Sequence, residues 1–449
     1  MTRTMSGTKQ FHHETPFPFR HFVPLIATLA FLVFFYIVVL FVTELHEEGS
    51  AGLLSKLCWR NATVRPPVLL VLIVAGWGLV VRVCRDAGLN LDHVLGGRVA
   101  SPLASYHAAL VLLCVVLAAH LIHLIASEIP GLTWRPWLTT NLALHAVLLV
   151  LGTVPARIFH PESRFSLLRA LYDSVIAPLA PVTFWHVIVA DYMTSLAKAF
   201  SDLQLSACIS SAILSERQPL GASYTPTTAL WEAHYFSCAD TYANALMLAL
   251  PFWMRLMQCL KVYSVTGEQK NLWNALKYST AFPLVYAGYL RRHRPSLRHD
   301  RLFALAAIVQ SSYCFFWDVQ MDWGLLRRDA RAPFGWSMRE PLLITKKKWV
   351  YFVLCAFNLS LRFVWALSLF GIATSPGGGM FFLESVEIVR RTVWAIFRIE
   401  WEVVVKIGSA TYSSVPLKAR AGDLRADSSL SDGSSDLEML PMKAAGDEP

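Results

Sequence analysis

The sequence has little charge: Asp, Glu, Lys and Arg make up 16% of its 449 residues, whereas 55% of the residues are hydrophobic. Average soluble domains are about a quarter charged, so this chain lacks the polar side chains that would cover a soluble protein of its size. Apolar segments that alternate over about ten residues are also missing, which argues against an outer-membrane β-barrel. The composition therefore excludes a soluble enzyme and predicts an all-α polytopic membrane protein.

Several functional motifs are missing as well. The eight cysteines form no Cys-X-X-Cys pair and no Cys/His spacing typical of a zinc site, and no Walker A phosphate-binding loop occurs. No compact basic domain carries the net charge of +9, so nucleic-acid binding is not indicated. We therefore predict no metal, no cofactor and no enzymatic activity.

Ten apolar segments are long enough to cross a bilayer, which requires about 20 apolar residues. The first segment is too long for the core of a signal peptide and no small-residue cleavage site follows it, so we expect it to be retained. The predicted spans are residues 22–43, 66–84, 103–126, 137–159, 175–200, 241–260, 271–290, 302–325, 349–373 and 381–405.

The spans divide the chain into four predicted parts. Residues 1–21 form a short N-terminus with three basic residues and one acidic residue, a balance that favours the cytosol. Four helices follow within residues 22–174, and six further helices form a bundle within residues 175–410. Residues 411–449 are predicted to be a disordered cytosolic tail, because the segment is dominated by small and polar residues.

Alternation from a cytosolic N-terminus places two long loops in the lumen. Loop 44–65 contains a sequon at Asn61, which we expect to be glycosylated. Loop 201–240 contains Cys208 and Cys238, and an oxidising lumen permits a disulfide between them, with two free thiols as the alternative.

Two further loops are both basic but fall on opposite sides of the membrane. The basic loop 326–348 falls on the cytosolic side, as the positive-inside rule expects, whereas the basic loop 291–301 falls on the lumenal side. A second sequon at Asn358 lies within the predicted ninth span and should stay unmodified.

Ionisable side chains inside the apolar spans are the most informative feature. An ionised group at the bilayer centre costs several kcal/mol, so it normally faces a partner or a water-filled path. Four carboxylates cannot neutralise five cations here, and surplus guanidinium groups suit an anion such as phosphate. Internal ion pairs that only fix helix register are the alternative. The cations are Arg255, Lys277, Arg362, Arg390 and Arg391, and the carboxylates are Asp191, Asp318, Asp322 and Glu387.

The spacing of these groups predicts two shared helical faces. Asp191, Thr194 and Lys198 lie at i, i+3 and i+7, and Asp318 and Asp322 lie one turn apart. A membrane-embedded transferase that uses the Asp pair as metal ligands is a further alternative, but no nucleotide-binding signature accompanies the pair.

At these residues the chain resembles a known family. Trp317–Leu325, which reads Trp-Asp-Val-Gln-Met-Asp-Trp-Gly-Leu, resembles the hallmark of the EXS domain family, eukaryotic phosphate exporters related to the xenotropic and polytropic retrovirus receptor. The similarity extends from about Pro181 to Glu402 and includes residues 251–260, 277–280, 361–365 and 387–394. Thr194 stands where the family pattern has Asn. The resemblance implies phosphate contacts for Asp191, Arg255, Lys277, Tyr278, Asp318, Asp322, Arg362, Trp365, Glu387, Arg390 and Arg391, and Thr194 is a further candidate at the position of that Asn.

The short N-terminus indicates a branch of this family. Because only 21 residues precede the first predicted span, we do not expect the cytosolic SPX sensor domain of the larger members. The chain resembles the short branch without that domain, which is similar to a fungal Golgi protein needed for retention of lumenal endoplasmic-reticulum proteins. This resemblance implies a Golgi membrane protein that moves inorganic phosphate from the lumen to the cytosol and supports glycosylation and glycosyltransferase retention.

The resemblance also implies partners, while an alternative function rests on the basic loop 326–348 and the acidic, Ser-rich tail. The implied partners are inorganic phosphate, membrane lipid, Golgi glycosyltransferases or their coat adaptor, and a second copy of the chain in a homodimer. The endoplasmic reticulum and the plasma membrane are alternative locations. The alternative function is a membrane adaptor that transports nothing and recycles glycosyltransferases through its cytosolic loops and tail.

Overall fold

The computed structural model describes residues 30–31, 65–127, 161–215, 234–235, 237–331, 335–368 and 378–414. The sequence predictions for the span 137–159, for Asn61, for nearly all of the span 22–43 and for nearly all of the tail lie outside these residues. The longer elements of the described part are the helices α1 (Arg65–Asp86), α2 (Leu91–Leu95), α3 (Pro102–Ser127), α4 (Pro161–Val175), α5 (Phe184–Ser195), α6 (Ala197–Ser215), α7 (Tyr242–Thr266), α8 (Gln269–Ser279), α9 (Ala281–His293), α10 (Leu297–Trp317), α11 (Lys348–Arg362) and α12 (Gly378–Ser414), and the strands β1 (Leu326–Arg328) and β2 (Trp336–Met338).

Five helical segments in the described part are long and apolar enough to cross a membrane by length and composition. They coincide with five of the predicted spans, which confirms a mostly helical membrane protein, while the number of ten spans stays a prediction. These segments are Arg65–Asp86, Pro102–Ile122, Tyr242–Thr266, Leu297–Asp322 and Lys348–Ala366.

The fifth predicted span, 175–200, differs from the structure. The side chain of Thr183 caps α5, which therefore begins at Phe184, and α6 resumes directly after a break at Leu196. The predicted loop 201–240 was wrong in its first part, because residues 201–215 are helical. The lumenal side of this segment stays a prediction. Polar residues such as Asp202 suggested a loop, but Asp202 is fully buried and paired with Arg65 of α1 and with Lys198, one turn earlier on α6.

Other helices are interrupted near the middle of the bundle. The seventh predicted span consists of α8 and α9, which are separated at Thr280, whose hydroxyl donates to the Lys277 carbonyl at 2.6 Å. A π-helical turn, Asp318–Asp322, follows α10, and a 3₁₀ turn, Val364–Ser368, follows α11. π-helical turns occur frequently at functional sites, and here both Asp residues of the recognised motif lie in one.

Helix α12 packs against α1, α5 and α11. A close approach fixes its position against α1: a Cβ atom at Gly76 would lie 2.5 Å from the Thr392 hydroxyl, so only glycine permits this contact. Trp323 and Trp394 are almost fully buried in the core beside this contact, and the Trp323 indole donates to the Trp394 carbonyl at 3.2 Å.

The predicted basic loop 326–348 contains an antiparallel hairpin, β1–β2, with Leu326 opposite Met338. The segment after the hairpin is anchored to α12 by a buried ion pair, in which Arg339 Nη2 lies 2.8 Å from Glu400 Oε2. The second carboxylate oxygen of Glu400 accepts hydrogen bonds from the backbone amides of Leu343 and Ile344. This anchor was not predicted from the sequence.

A disulfide between Cys208 and Cys238 joins α6 to the segment before α7. The predicted basic loop 291–301 lies at the same end of the bundle, because Arg292 donates to the Ala239 carbonyl at 3.3 Å. Part of its charge is neutralised, since Arg291 Nε lies 2.7 Å from Asp300. The two segments assigned to one side of the membrane by alternation therefore do lie together.

Replacing both bridged cysteines, Cys208→Ser/Cys238→Ser, should lower the free energy of unfolding by about 3–4 kcal/mol, because the unfolded chain loses a closed loop of 30 residues. Thermal unfolding in detergent with and without reductant measures this loss. The control is Cys314→Ser, which replaces a free thiol. Alkylation of both Cys208 and Cys238 without prior reduction would show that the bridge is absent.

Candidate functional site

A cavity of about 310 Å³ lies between α5, α8, α10, α11 and α12. Its size is at the lower end of ligand-binding cavities, which measure about 300–1,000 Å³. Four cations and two carboxylates line it, so the cavity has a surplus of two positive charges. The cations are Lys277, Arg362, Arg390 and Arg391, and the carboxylates are Asp318 and Glu387.

The structure brings most of the candidate residues together. Three of them, Asp191, Arg255 and Asp322, lie behind the wall of the cavity. The candidates that line the cavity are Thr194, Lys277, Tyr278, Asp318, Arg362, Trp365, Glu387, Arg390 and Arg391.

Asp191 organises one wall from behind. Its Oδ1 accepts from Arg255 Nε at 3.0 Å and from the Tyr278 hydroxyl at 2.5 Å. Arg255 also lies over the Tyr278 ring, with 4.8 Å between the guanidinium carbon and the ring centre, and donates to Gln258 at 2.6 Å. Asp191 and Arg255 thus neutralise each other and hold the Tyr278 ring at the cavity.

Lys277 is held mainly by aromatic rings. Its Nζ lies 4.3 Å from the centre of the Tyr278 ring and 5.4 Å from that of Trp317. The nearest carboxylate oxygen, from Asp322, is 3.9 Å away and also accepts from the Trp394 indole. Because this ion pair is long, much of the Lys277 charge remains available to the cavity.

Asp318 accepts three hydrogen bonds on one carboxylate oxygen. Its Oδ2 accepts from Arg362 Nε and Nη2 at 2.9 and 2.5 Å and from the Asn358 amide at 2.9 Å. The Asn358 oxygen in turn accepts from Arg390 at 3.2 Å. Asn358 therefore links Arg390 to the ion pair of Asp318 and Arg362. The sequence analysis did not predict this role, because Asn358 was considered only as a sequon.

Glu387 and Arg390 form a second pair on one helix. Arg390 donates to both carboxylate oxygens of Glu387, at 2.8 and 2.6 Å, as the i, i+3 spacing allows. Glu387 also accepts from the Ser195 hydroxyl at 2.7 Å. Ser195 was not predicted, although it directly follows the candidate Thr194.

Arg391 differs from its neighbours. It donates to the hydroxyls of Ser195 at 3.0 Å and Thr194 at 3.3 Å, and its guanidinium carbon lies 4.6 Å from the Trp394 ring centre. No carboxylate in the described part of the chain forms an ion pair with it. A buried guanidinium without a carboxylate partner is costly unless an anion joins it.

Trp365 lines the cavity and is held there by two consecutive hydrogen bonds. Its indole donates to the Ser311 hydroxyl at 3.0 Å, and that hydroxyl donates to the Arg362 carbonyl at 3.0 Å. These hydrogen bonds hold the end of α11 against α10, next to the guanidinium of Arg362.

Lys198 does not join the site. It lies after the break at Leu196 and contacts Asp202, so the predicted face of Asp191, Thr194 and Lys198 is divided between two helices. Among the described residues no group of three or more His, Cys, Asp or Glu side chains could hold a metal ion.

The fold and the site define an α-helical membrane protein whose interrupted helices enclose a net positive cavity. The chain belongs to the EXS family, whose profile matches residues 62–404. This match covers the cavity and confirms the resemblance seen at Trp317–Leu325.

Individual relatives are about 30% identical to this chain over the aligned residues. Phosphate transporter PHO1 homolog 10 of Arabidopsis thaliana is 29% identical over 289 residues, which cover 61% of this chain and 34% of the relative. The xenotropic and polytropic retrovirus receptor 1 homolog of Xenopus laevis is 31% identical over 278 residues, covering 58% and 38%. Human solute carrier family 53 member 1 is 30% identical over 276 residues, with the same coverage. The chain thus spans a little over a third of the length of these relatives.

Proposed function

We propose that the protein transports inorganic phosphate across a membrane through the cavity. The observation that carries the proposal is Arg391, a buried guanidinium that faces a net positive cavity without a carboxylate partner. A phosphate group carries a charge of about −1.5 to −2 near neutral pH, which matches the surplus of two positive charges. The Arabidopsis relative is a phosphate transporter by name, which supports the same substrate.

The contacts suggest how the anion is bound and released. Arg391, Arg362 and Lys277 offer donors that replace the water around phosphate, and planar guanidinium groups suit paired oxygens. Asp318 and Glu387 already occupy part of the donors of Arg362 and Arg390. These carboxylates compete with phosphate, so the anion is held weakly enough to leave, as conduction requires.

The proposed setting is the Golgi membrane, with transport from lumen to cytosol. The similarity to the short family branch supports this location, and glycosylation releases phosphate in the lumen. In this orientation the Cys208–Cys238 end faces the lumen and the β1–β2 hairpin faces the cytosol. The proposal includes support of glycosylation and retention of glycosyltransferases. It also includes contacts with their coat adaptor, with lipid and with a second copy of the chain. The endoplasmic reticulum and the plasma membrane are the alternative locations.

Phosphate flux in vesicles tests the function. The purified full chain is reconstituted into liposomes, and labelled phosphate is supplied on each side in turn. Saturable flux above that of empty liposomes is the expected result. An adaptor that transports nothing would give the flux of empty liposomes, and this outcome would contradict the proposal.

Neutralising Glu387 should strengthen phosphate binding. Glu387→Gln releases Arg390 and removes one negative charge from the cavity. We expect roughly tenfold tighter binding, since a unit charge about 10 Å away at an effective dielectric constant of about 20 contributes 1–2 kcal/mol. Calorimetric titration of the detergent-solubilised protein with phosphate measures the change. Glu402→Gln is the control because it lies on the same helix and pairs with Arg398 outside the cavity; equal tightening in both variants would contradict the role of Glu387.

A further inference from the structure

A second buried group of charges lies where α1, α6 and α12 meet. Arg65 at the start of α1, Asp202 on α6 and Glu384 on α12 are each exposed by 7% or less. Asp202 is paired twice, with Arg65 Nη2 at 2.8 Å and with the Nζ of Lys198. Both cations of the group thus contact Asp202 and leave Glu384 without an ion pair.

Glu384 is buried without a hydrogen-bond donor. Both of its carboxylate oxygens are inaccessible to solvent, and no described residue donates to either. Phe381 and Ile388, one turn before and after Glu384, pack with Leu69 of α1 in an apolar cluster. A carboxylate in this position has lost its hydration without gaining hydrogen bonds, so its neutral, protonated form is favoured.

Glu384 is also close to the transport cavity. It precedes Glu387 by one helical turn, about 4.5 Å along the axis, and its neighbour Leu383 lines the cavity. The charged groups that surround it are Arg65 from α1, Lys198 and Asp202 from α6, and Glu387 on its own helix.

We propose that Glu384 is a proton-binding site whose occupancy is linked to phosphate binding in the cavity. The proton comes from water and resides on a carboxylate oxygen of Glu384. Its uptake removes one negative charge beside a cavity that already has a positive surplus, so phosphate binds more tightly to the protonated protein. By linkage, bound phosphate favours proton uptake by the same factor. This inference deepens the proposed phosphate transport and adds the proton as a coupled ion.

Infrared spectroscopy tests proton binding without any transport. We expect the C=O stretch of a protonated carboxylic acid in the full-length protein, lost between about pH 6 and about pH 8, where buried carboxyls can titrate. The band should shift when the protein carries isotope-labelled glutamate, which separates Glu384 from Asp202. It should be missing in Glu384→Gln and present in Glu340→Gln, which changes an exposed carboxylate. A band that is unchanged in Glu384→Gln would overturn the proposal.

Phosphate binding tests the linkage. Glu384→Gln has a permanently neutral side chain at this position, so it should bind phosphate about tenfold more tightly than the wild type at about pH 8, for charges roughly 10 Å apart. The two should bind equally at about pH 6. Comparing the variant with the wild type at each pH cancels the titration of phosphate itself, and Glu340→Gln should match the wild type at both. A constant ratio of affinities across this pH range would overturn the linkage.

The two tests separate this inference from the proposed function. If the wild type moved no phosphate but the Glu384 band were present, transport would fail while proton binding remained. If flux were normal and neither the band nor the affinity depended on Glu384, the proton site would fail while transport remained. Glu384→Leu, which suits the surrounding apolar side chains, replaces Glu384→Gln if the amide variant does not fold.

Discussion

Arg391→Ala should weaken phosphate binding by at least about tenfold and leave the protein folded. A charge-assisted hydrogen bond contributes about 1.5–3 kcal/mol, and Arg391 offers its charge to the cavity without a carboxylate partner. Removing Arg391 takes a hydrogen-bond partner from the hydroxyls of Ser195 and Thr194, which retain other partners, and a cation from the Trp394 ring. Calorimetric titration with phosphate and the thermal unfolding midpoint, measured on the same sample, give the two quantities.

Arg362→Ala is the informative comparison. This change leaves Asp318 without its closest cation, and breaking a buried pair costs about 3–5 kcal/mol. We therefore expect Arg362→Ala to lower both binding and stability, and Arg391→Ala to lower binding alone. Arg391→Lys should fall between wild type and Arg391→Ala, because lysine keeps the charge but loses the planar donors. If both variants lost the same stability, the role of Arg391 would be purely structural.

Glu400→Ala should lower stability by about 3–5 kcal/mol, because it leaves the guanidinium of Arg339 buried without a carboxylate. The carboxylate of Glu400 accepts from Arg339, from the amides of Leu343 and Ile344 and from the Tyr351 hydroxyl at 2.7 Å. None of these groups lines the cavity. The expected result is a much lower unfolding midpoint and poor recovery of the solubilised protein.

The matched control is Glu340→Ala, which breaks an exposed pair with Lys348. Such a pair contributes about 0–1 kcal/mol, so this variant should resemble the wild type. A wild-type unfolding midpoint in Glu400→Ala would contradict the anchoring of the hairpin segment to α12.

The charged residues of the cavity could be predicted from sequence because apolar spans make each ionisable group conspicuous. Arg362, Arg390 and Arg391 stand out for this reason, and Trp317–Leu325 identifies the family. The uncharged residues that hydrogen-bond to these charged groups do not stand out in the sequence. Ser195 and Asn358 are ordinary polar residues in helices, and their importance follows only from contacts with residues 192 and 40 positions away.

The breaks in the helices could not be predicted from hydropathy. Hydropathy averages over many residues, so α8 and α9 merged into one span although Thr280 separates them. Asp202 was assigned to a loop because a charged residue in a polar segment suggests exposure, but Arg65, 137 positions earlier, makes its burial favourable. Long-range ion pairs of this kind leave no local pattern in the sequence.

Labelled phosphate flux through liposomes that contain either wild-type protein or Arg391→Ala tests phosphate transport through the cavity most directly. Equal amounts of protein with matching unfolding midpoints are compared, so that a difference in flux reports on the site and not on folding. Saturable flux in the wild type and a decrease of about tenfold or more in Arg391→Ala are the results predicted from the loss of charge-assisted contacts. Wild-type flux in Arg391→Ala would contradict transport through this cavity.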